Sequence, residues 1–264
     1  MPTVQLDASR AGPLPLIGKI ALVTGASSGI GRAIAIACAE AGADVAITYH
    51  KNKAGAHETA RVIEGRHRRA DVRQCSLADP AAPAALAESL RTALGRVDIW
   101  INNAGADILT GPGGKQTRGD KLQRLLDVDL RGTILASWAA AELMQQQPEG
   151  GVILNMSWDL FASGFEGVNP QMFAAVKAGV RGFSQLLARS VAPKVRVNVL
   201  APGWVDTAYG SGLDEASRKK IVEQTPLKRW GTPEDVAQAA VFLASEQAGF
   251  LTGQTLMING GTVM

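Results

Sequence analysis

The chain predicts an α/β fold: one Rossmann-type, doubly wound parallel sheet of about seven strands with helices on both faces. Three observations predict it. Apolar, β-branched runs alternate with helical patterns along its whole length, and parallel strands need such crossover segments. Of its 264 residues 46% are apolar and 19% charged, ample material for one large core. A glycine cluster opens the first helical pattern directly after the first strand pattern.

The strand runs are KIALVTG, DVAITY, DVRQC, RVDIWIN, GVILNMS, KVRVNVLA and QTLMIN, in chain order. Between them, GRAIAIACAEAG, DPAAPAALAESLRTALG, DKLQRLLDVDLRGTILASWAAAELMQQQ and MFAAVKAGVRGFSQLLARSVA repeat apolar residues at helical spacing. LTGPGGKQTRGD, residues 109–120, reads as a loop; its GGK lacks the spacing and position of a phosphate loop. No solenoid repeat or linker divides the chain. Residues 1–16 read as a flexible N-terminal arm and 17–264 as the domain, with a substrate lid near 204–228.

The net charge of +3 is mild, and its one concentration, GRHRR at 65–69, reads as a solvated helix end. No nucleic-acid partner is expected. No apolar run reaches the roughly 18 residues of a membrane span, so a cytoplasmic protein is expected. Cys38 and Cys75 are too few for a disulfide framework and read as free thiols. The three histidines fall within residues 50–67 without metal-ligand spacing, so no metal is expected.

In KIALVTGASSGIGRAIA, Gly25, Gly29 and Gly31 let the backbone turn tightly and approach a pyrophosphate, with Ser27, Ser28 and Ile30 in the same turn. The spacing G-x-x-x-G-x-G differs from the general dinucleotide fingerprint. Here the chain resembles the short-chain dehydrogenase/reductase family, whose T-G-x-x-x-G-x-G motif matches Thr24 to Gly31. NNAG at 102–105, APGWVDT at 201–207 and GQTLMINGG at 253–261 continue the resemblance from Ile17 onward.

The resemblance implies a nicotinamide cofactor and a homodimer or homotetramer pairing the helices near 119–147 and 171–191. An NAD enzyme usually carries an acidic residue at the end of the second strand; here Tyr49, His50, Lys51 and Lys53 stand there, with no Asp or Glu from Val45 through His57. NADP(H) is therefore preferred, with NAD(H) the other possibility. Ser76 and Leu77 take the adenine side, Ser76 where the family commonly has Asp. Asn103, Ala104 and Gly105 would line the cofactor, and Pro202, Gly203, Val205 and Thr207 would meet its nicotinamide end.

In the family a tyrosine moves the proton, a lysine four residues later lowers its pKa, a serine orients substrate and an asparagine holds a proton route. Lys177 fills the lysine place; Phe173 stands where tyrosine belongs, Trp158 where serine belongs unless Ser157 substitutes, and Asp129 where asparagine belongs. LLDVDLRGT, with a lysine and no tyrosine, is also similar to peroxisomal-type 2,4-dienoyl-CoA reductase, which implies an Asp129/Lys177 pair that holds a proton-donating water. Phe173 alternatively packs a helix face, Lys177 alternatively binds the cofactor ribose alone, and Asp129 alternatively pairs with Arg131. Tyr209 in the lid and the loop carboxylates Asp107, Asp159 and Glu166 are the other candidate acids. Two functions stay open: an NADP(H)-dependent reductase of an activated C=C or C=N bond acting on a small molecule, or a silent or non-redox relative that uses the pocket for binding or orientation.

Overall fold

The structure, a computed structural model, describes residues 14–159, 166–207 and 213–263. Its strands are β1 (Ile20–Val23), β2 (Asp44–Tyr49), β3 (Ala70–Gln74), β4 (Ile99–Asn102), β5 (Gly151–Met156), β6 (Val195–Pro202) and β7 (Thr255–Ile258). They form one sheet in the order β3-β2-β1-β4-β5-β6-β7, with every neighbouring pair parallel. Each coincides with a strand run read from the sequence, β3 being the least apolar of them. The helices are α1 (Gly29–Glu40), α2 (Lys53–Glu64), α3 (Ala82–Leu94), α4 (Gly111–Gly114), α5 (Arg118–Leu125), α6 (Thr133–Gln146), α7 (Val168–Val191), α8 (Glu215–Gln224) and α9 (Pro233–Ala244).

All side chains of β1 and β4 are buried, because both faces of the sheet are covered. One buried cluster joins β1, β2 and α1 to α9; another joins β4 and β5 to α3, α6 and α7. The chain reverses its direction of winding between β1 and β4, and in sheets of this kind ligands bind at the carboxyl ends of the strands, at that switch point. A buried polar network braces the strands behind that edge. Trp100 Nε1 donates to Asn102 Oδ1 at 2.8 Å, Asn102 Nδ2 to Asn155 Oδ1 at 2.8 Å, and Asn155 Nδ2 to Ser184 Oγ at 2.9 Å.

Three expectations change. Residues 109–120 are not all loop: Pro112 occupies the first turn of α4, where its missing N–H costs nothing, and α5 begins at Arg118 behind the Thr117 cap. The single helix expected over 120–147 is α5 and α6 joined by a π-helical segment, Leu126–Gly132. Residues 1–13 of the arm lie outside the described residues, while Leu16 at its end is buried and its N–H donates to Ala41 O at 2.8 Å.

GRHRR forms the exposed end and loop after α2, as its solvated reading implies, with Arg66 paired to Glu40 and Arg69 to Asp44. Both cysteines are free and buried, and burial pushes the Cys38 thiol up to about 12. No helix among the described residues is long and apolar enough to cross a membrane, and no cluster of candidate metal ligands occurs among them.

Candidate active site

The glycine turn after β1 is held by its own Thr24 and by side chains from the loop after β4, from β2 and from α2 with its cap. Thr24 Oγ1 accepts the amides of Asn103 and Ala104 at 3.0 Å each, and Asn103 Nδ2 donates back to Thr24 O at 3.0 Å. Gly25 N donates to Thr48 Oγ1 at 3.2 Å, Thr59 Oγ1 to Ala26 O at 3.0 Å, and Asn52 Nδ2 to Ser27 O at 3.4 Å. Gly25 has φ +66° and a Cβ on it would stand 2.8 Å from the Ala104 Cα; a Cβ on Gly31 would stand 2.5 Å from the Gly25 carbonyl. Only glycine lets the two loops and α1 approach so closely.

Ser28 caps α1 in extended conformation without a side-chain bond, so the first-turn amides of Gly29, Ile30 and Gly31 are left for a ligand. These residues fit a dinucleotide: the open helix end favours a pyrophosphate, and the glycine cradle admits it. Thr207 lies across from Gly29, its methyl 3.8 Å from where a Gly29 Cβ would point. The loops after β1 and β6 therefore face one another, and the structure gathers the predicted Gly25–Gly31, Asn103–Gly105 and Pro202–Thr207 segments at one sheet edge.

His50, Lys51 and Lys53 are exposed at the end of β2, whereas Tyr49 is buried in the core among Ala56, Ala60 and Ile63. Leu77 is buried, with its Cβ 2.8 Å from where a Cβ on Gly132 would stand, and Ser76 beside it is half-buried. The Asn103 side chain is turned toward the glycine turn. Its amide braces that turn.

The second half of the site is built on the π-helical segment and α7. The wider turn carries Asp129, which is 1% exposed, toward the loop after β4. Asp129 Oδ1 lies 2.9 Å from Lys177 Nζ, and Asp129 Oδ2 accepts the Ala106 amide at 2.8 Å. A Cβ on Gly105 would come within 2.9 Å of the same carboxylate, so the glycine makes room for it. Asp129 therefore pairs with Lys177, while Arg131 pairs with Asp127.

Lys177, also buried, donates to Met156 O at 3.3 Å, and its ammonium lies 5.3 Å from the centroid of the Phe173 ring. Two of its three N–H groups are thus engaged, which leaves one for a ribose hydroxyl or a held water. Phe173 meets Trp158 edge to face with ring centroids 5.4 Å apart, and it packs on Ile108, Leu125 and Val176. The Ser157 hydroxyl donates to the Lys177 carbonyl at 3.0 Å and is buried, which corrects its reading as a substitute serine.

The remaining candidate acids separate clearly. Burial pulls the Asp107 carboxyl up, but the Thr110 hydroxyl and the Thr110 and Leu109 amides hold it below its ordinary range. It stays ionised near neutrality and makes a poor proton donor. Glu166 is exposed. Asp159 is completely buried rather than solvated, and a Cβ on Gly203 would stand 2.9 Å from its Oδ2. Tyr209 lies outside the described residues, as do residues 160–165 and positions 208–212 of the expected lid segment; within that segment residues 215–224 form α8.

Thr48, Asn52 and Thr59 are the supports that sequence reasoning missed. Thr59 carried a faint signal, a polar residue on the apolar stripe of α2.

A family model described as enoyl-(acyl carrier protein) reductase matches residues 25–263. The 3-oxoacyl-[acyl-carrier-protein] reductase FabG of Escherichia coli (strain K12) is 37% identical over 257 residues, which span 94% of this chain and 98% of that protein. Among solved structures, a putative short-chain alcohol dehydrogenase from Sinorhizobium meliloti 1021 superposes with a TM-score of 0.86 at 34% identity, covering 95% of this chain and 98% of its own. A short-chain dehydrogenase from Burkholderia cenocepacia J2315 in complex with NADP superposes with a TM-score of 0.84 at 35% identity, covering 94% of this chain and 99% of its own.

Proposed function

The chain belongs to the short-chain dehydrogenase/reductase family, and from that premise we propose that it is an NADP(H)-dependent oxidoreductase that reduces an activated C=C or C=N bond. The observation that carries this reading is the buried Lys177–Asp129 pair, 2.9 Å apart, beside a phenylalanine ring in place of a phenol. When bound, the cofactor supplies hydride; everything else is the work of the chain's side chains.

Lys177, held by Asp129 and Met156 O, offers its remaining N–H to the cofactor ribose or to a water. A ketone whose developing alkoxide met Phe173 would forgo general-acid assistance, worth about 100- to 10,000-fold. A conjugated C=C spreads that charge onto an enolate and takes its proton from a water held by Lys177 and Asp129. Such substrates lose least from the phenylalanine.

The preference for NADP(H) rests on the cations Lys51 and Lys53, with His50 beside them as a hydrogen-bonding side chain, where a carboxylate would repel a 2′-phosphate. The neighbour from Burkholderia cenocepacia, which is in complex with NADP, supports a nicotinamide cofactor. Assembly as a homodimer or homotetramer rests on Trp138 and Leu186, which leave apolar surface exposed on α6 and α7. The two free thiols suit the reducing cytoplasm.

The test is a titration with NADPH and NADH, followed by turnover of ketones, enones, dienoyl thioesters and imines. Tight NADPH binding with turnover of the conjugated or imine substrates is the expected result. Binding with no turnover of any of them would sink the reading as a reductase. Phe173→Tyr should bring out ketone reduction if the rest of the site is intact.

A further inference from the structure

Around the reacting end of the site, most of the hydrogen-bonding capacity of Ser157 and Lys177 is already committed. Ser157 Oγ donates to the Lys177 carbonyl, and the Lys177 ammonium is bound by Asp129 Oδ1 and Met156 O. Two half-buried aromatic rings, Trp158 and Phe173, stand edge to face beside this pair. One of them already lies 5.3 Å from a cation, the Lys177 ammonium, whose charge is balanced by Asp129 at 2.9 Å. Such a wall offers nothing to a developing oxyanion, yet aromatic faces attract positive charge.

We propose that the substrate is a preformed iminium cation, a planar C=N⁺ group flanked by apolar carbon, seated against Trp158 and Phe173. This rests on the reductase reading above and narrows it to one substrate class. The iminium carbon takes up hydride, and the π pair of the C=N⁺ bond settles on nitrogen as a lone pair. The two electrons come from the reduced nicotinamide, and no proton is exchanged. The product is a neutral amine, so the missing acid is not needed. An enone or dienoyl thioester, by contrast, still has to gain a proton after hydride arrives.

Two measurements test this. In the first, the saturated cation N,N-dimethyl-tetrahydroisoquinolinium is titrated into the cofactor-free protein by calorimetry, against a neutral carbon isostere of the same shape. The cation should bind several-fold to about 30-fold more tightly, as a desolvated cation–π contact implies. Phe173→Leu should erase most of that difference while NADPH affinity, the sign of an intact fold, is retained.

In the second, N-methyl-3,4-dihydroisoquinolinium and α-tetralone are compared as substrates with NADPH, above the uncatalysed rate. The iminium should be favoured by about 100-fold or more in kcat/KM, the scale of one lost general acid. Equal binding of cation and isostere, or turnover of enones with none of the iminium, overturns the proposal and leaves the reductase reading standing. Failure to bind NADPH overturns both.

Discussion

The two halves of the site are built from different materials. The nucleotide half is backbone shaped by glycine and pinned by short hydroxyl and amide side chains: Thr24, Thr48, Thr59 and Asn103 hold a turn whose own residues contribute little but their amides. The reacting half is side chain throughout, with one buried ion pair and two aromatic rings carried by a π-helical segment, α7 and the end of β5. A backbone site keeps its shape through many substitutions and recognises what any dinucleotide has. A side-chain site changes its chemistry with one residue, and Phe173 for tyrosine is such a change.

If that contrast holds, the largest stability effect should come from the reacting half. Lys177→Met would leave Asp129, 1% exposed, as an uncompensated buried charge, a cost of about 3–5 kcal/mol. Adding Asp129→Leu should recover most of the loss, since replacing both members of such a pair by apolar groups is often neutral. Chemical denaturation of the two single variants and the double variant measures this directly. Additive losses would mean that the pair is not one unit.

The nucleotide half should break through shape instead of charge. Gly31→Ala puts a methyl carbon 2.5 Å from the Gly25 carbonyl, a backbone atom that cannot swing away. Overpacking of this kind costs about 1–3 kcal/mol. Cofactor affinity should fall by more than stability, because the same shift opens the cradle. A melting curve and an NADPH titration of one variant separate the two, and an unchanged affinity would remove Gly31 from the cradle.

Recognition within the nucleotide half should respond more gently. Lys51→Glu places a carboxylate at the end of β2, where the side chain is exposed. The ratio of NADPH to NADH affinity should drop by about tenfold or less, and by less still in high salt, because solvent screens an exposed charge. A ratio that ignores both the substitution and the salt would assign the 2′-phosphate elsewhere.

The same contrast explains what was legible. The central strands were readable because burial on both faces writes continuous apolar runs into the sequence, and the glycine turn because its spacing is a backbone requirement. The pairing of Asp129 with Lys177 joins residues far apart in the chain, and no local pattern announces it. The π-helical segment keeps a helical apolar spacing and so reads as plain helix. Ser157 looked available until its hydroxyl was found on the Lys177 carbonyl, and Asp159 looked solvated because a loop position says nothing of what folds over it. Pro112 and its glycines read as a turn, yet proline in a first helical turn serves a short helix equally well.

A last and smaller effect lies in the scaffold beneath the nucleotide half. Thr232 and Asp235 form a capping box at the start of α9, and Gly231 just before it exchanges backbone hydrogen bonds with Trp204 and Asp206, on either side of Val205. Arg229 beside Asp235 holds its carboxyl at about 2, helped by the Thr232 amide, against a partial pull upward from burial. A carboxyl depressed in the folded state stabilises fully above its unfolded value near 4, and that contribution is lost as pH falls through about 2. Acid unfolding should therefore be less steep between pH ~4 and ~2 in Asp235→Asn than in the parent. Because Arg229 is half-exposed, the difference should be modest and should shrink in salt. An identical acid profile would show that the cap, and with it the seat of Val205, does not depend on that charge.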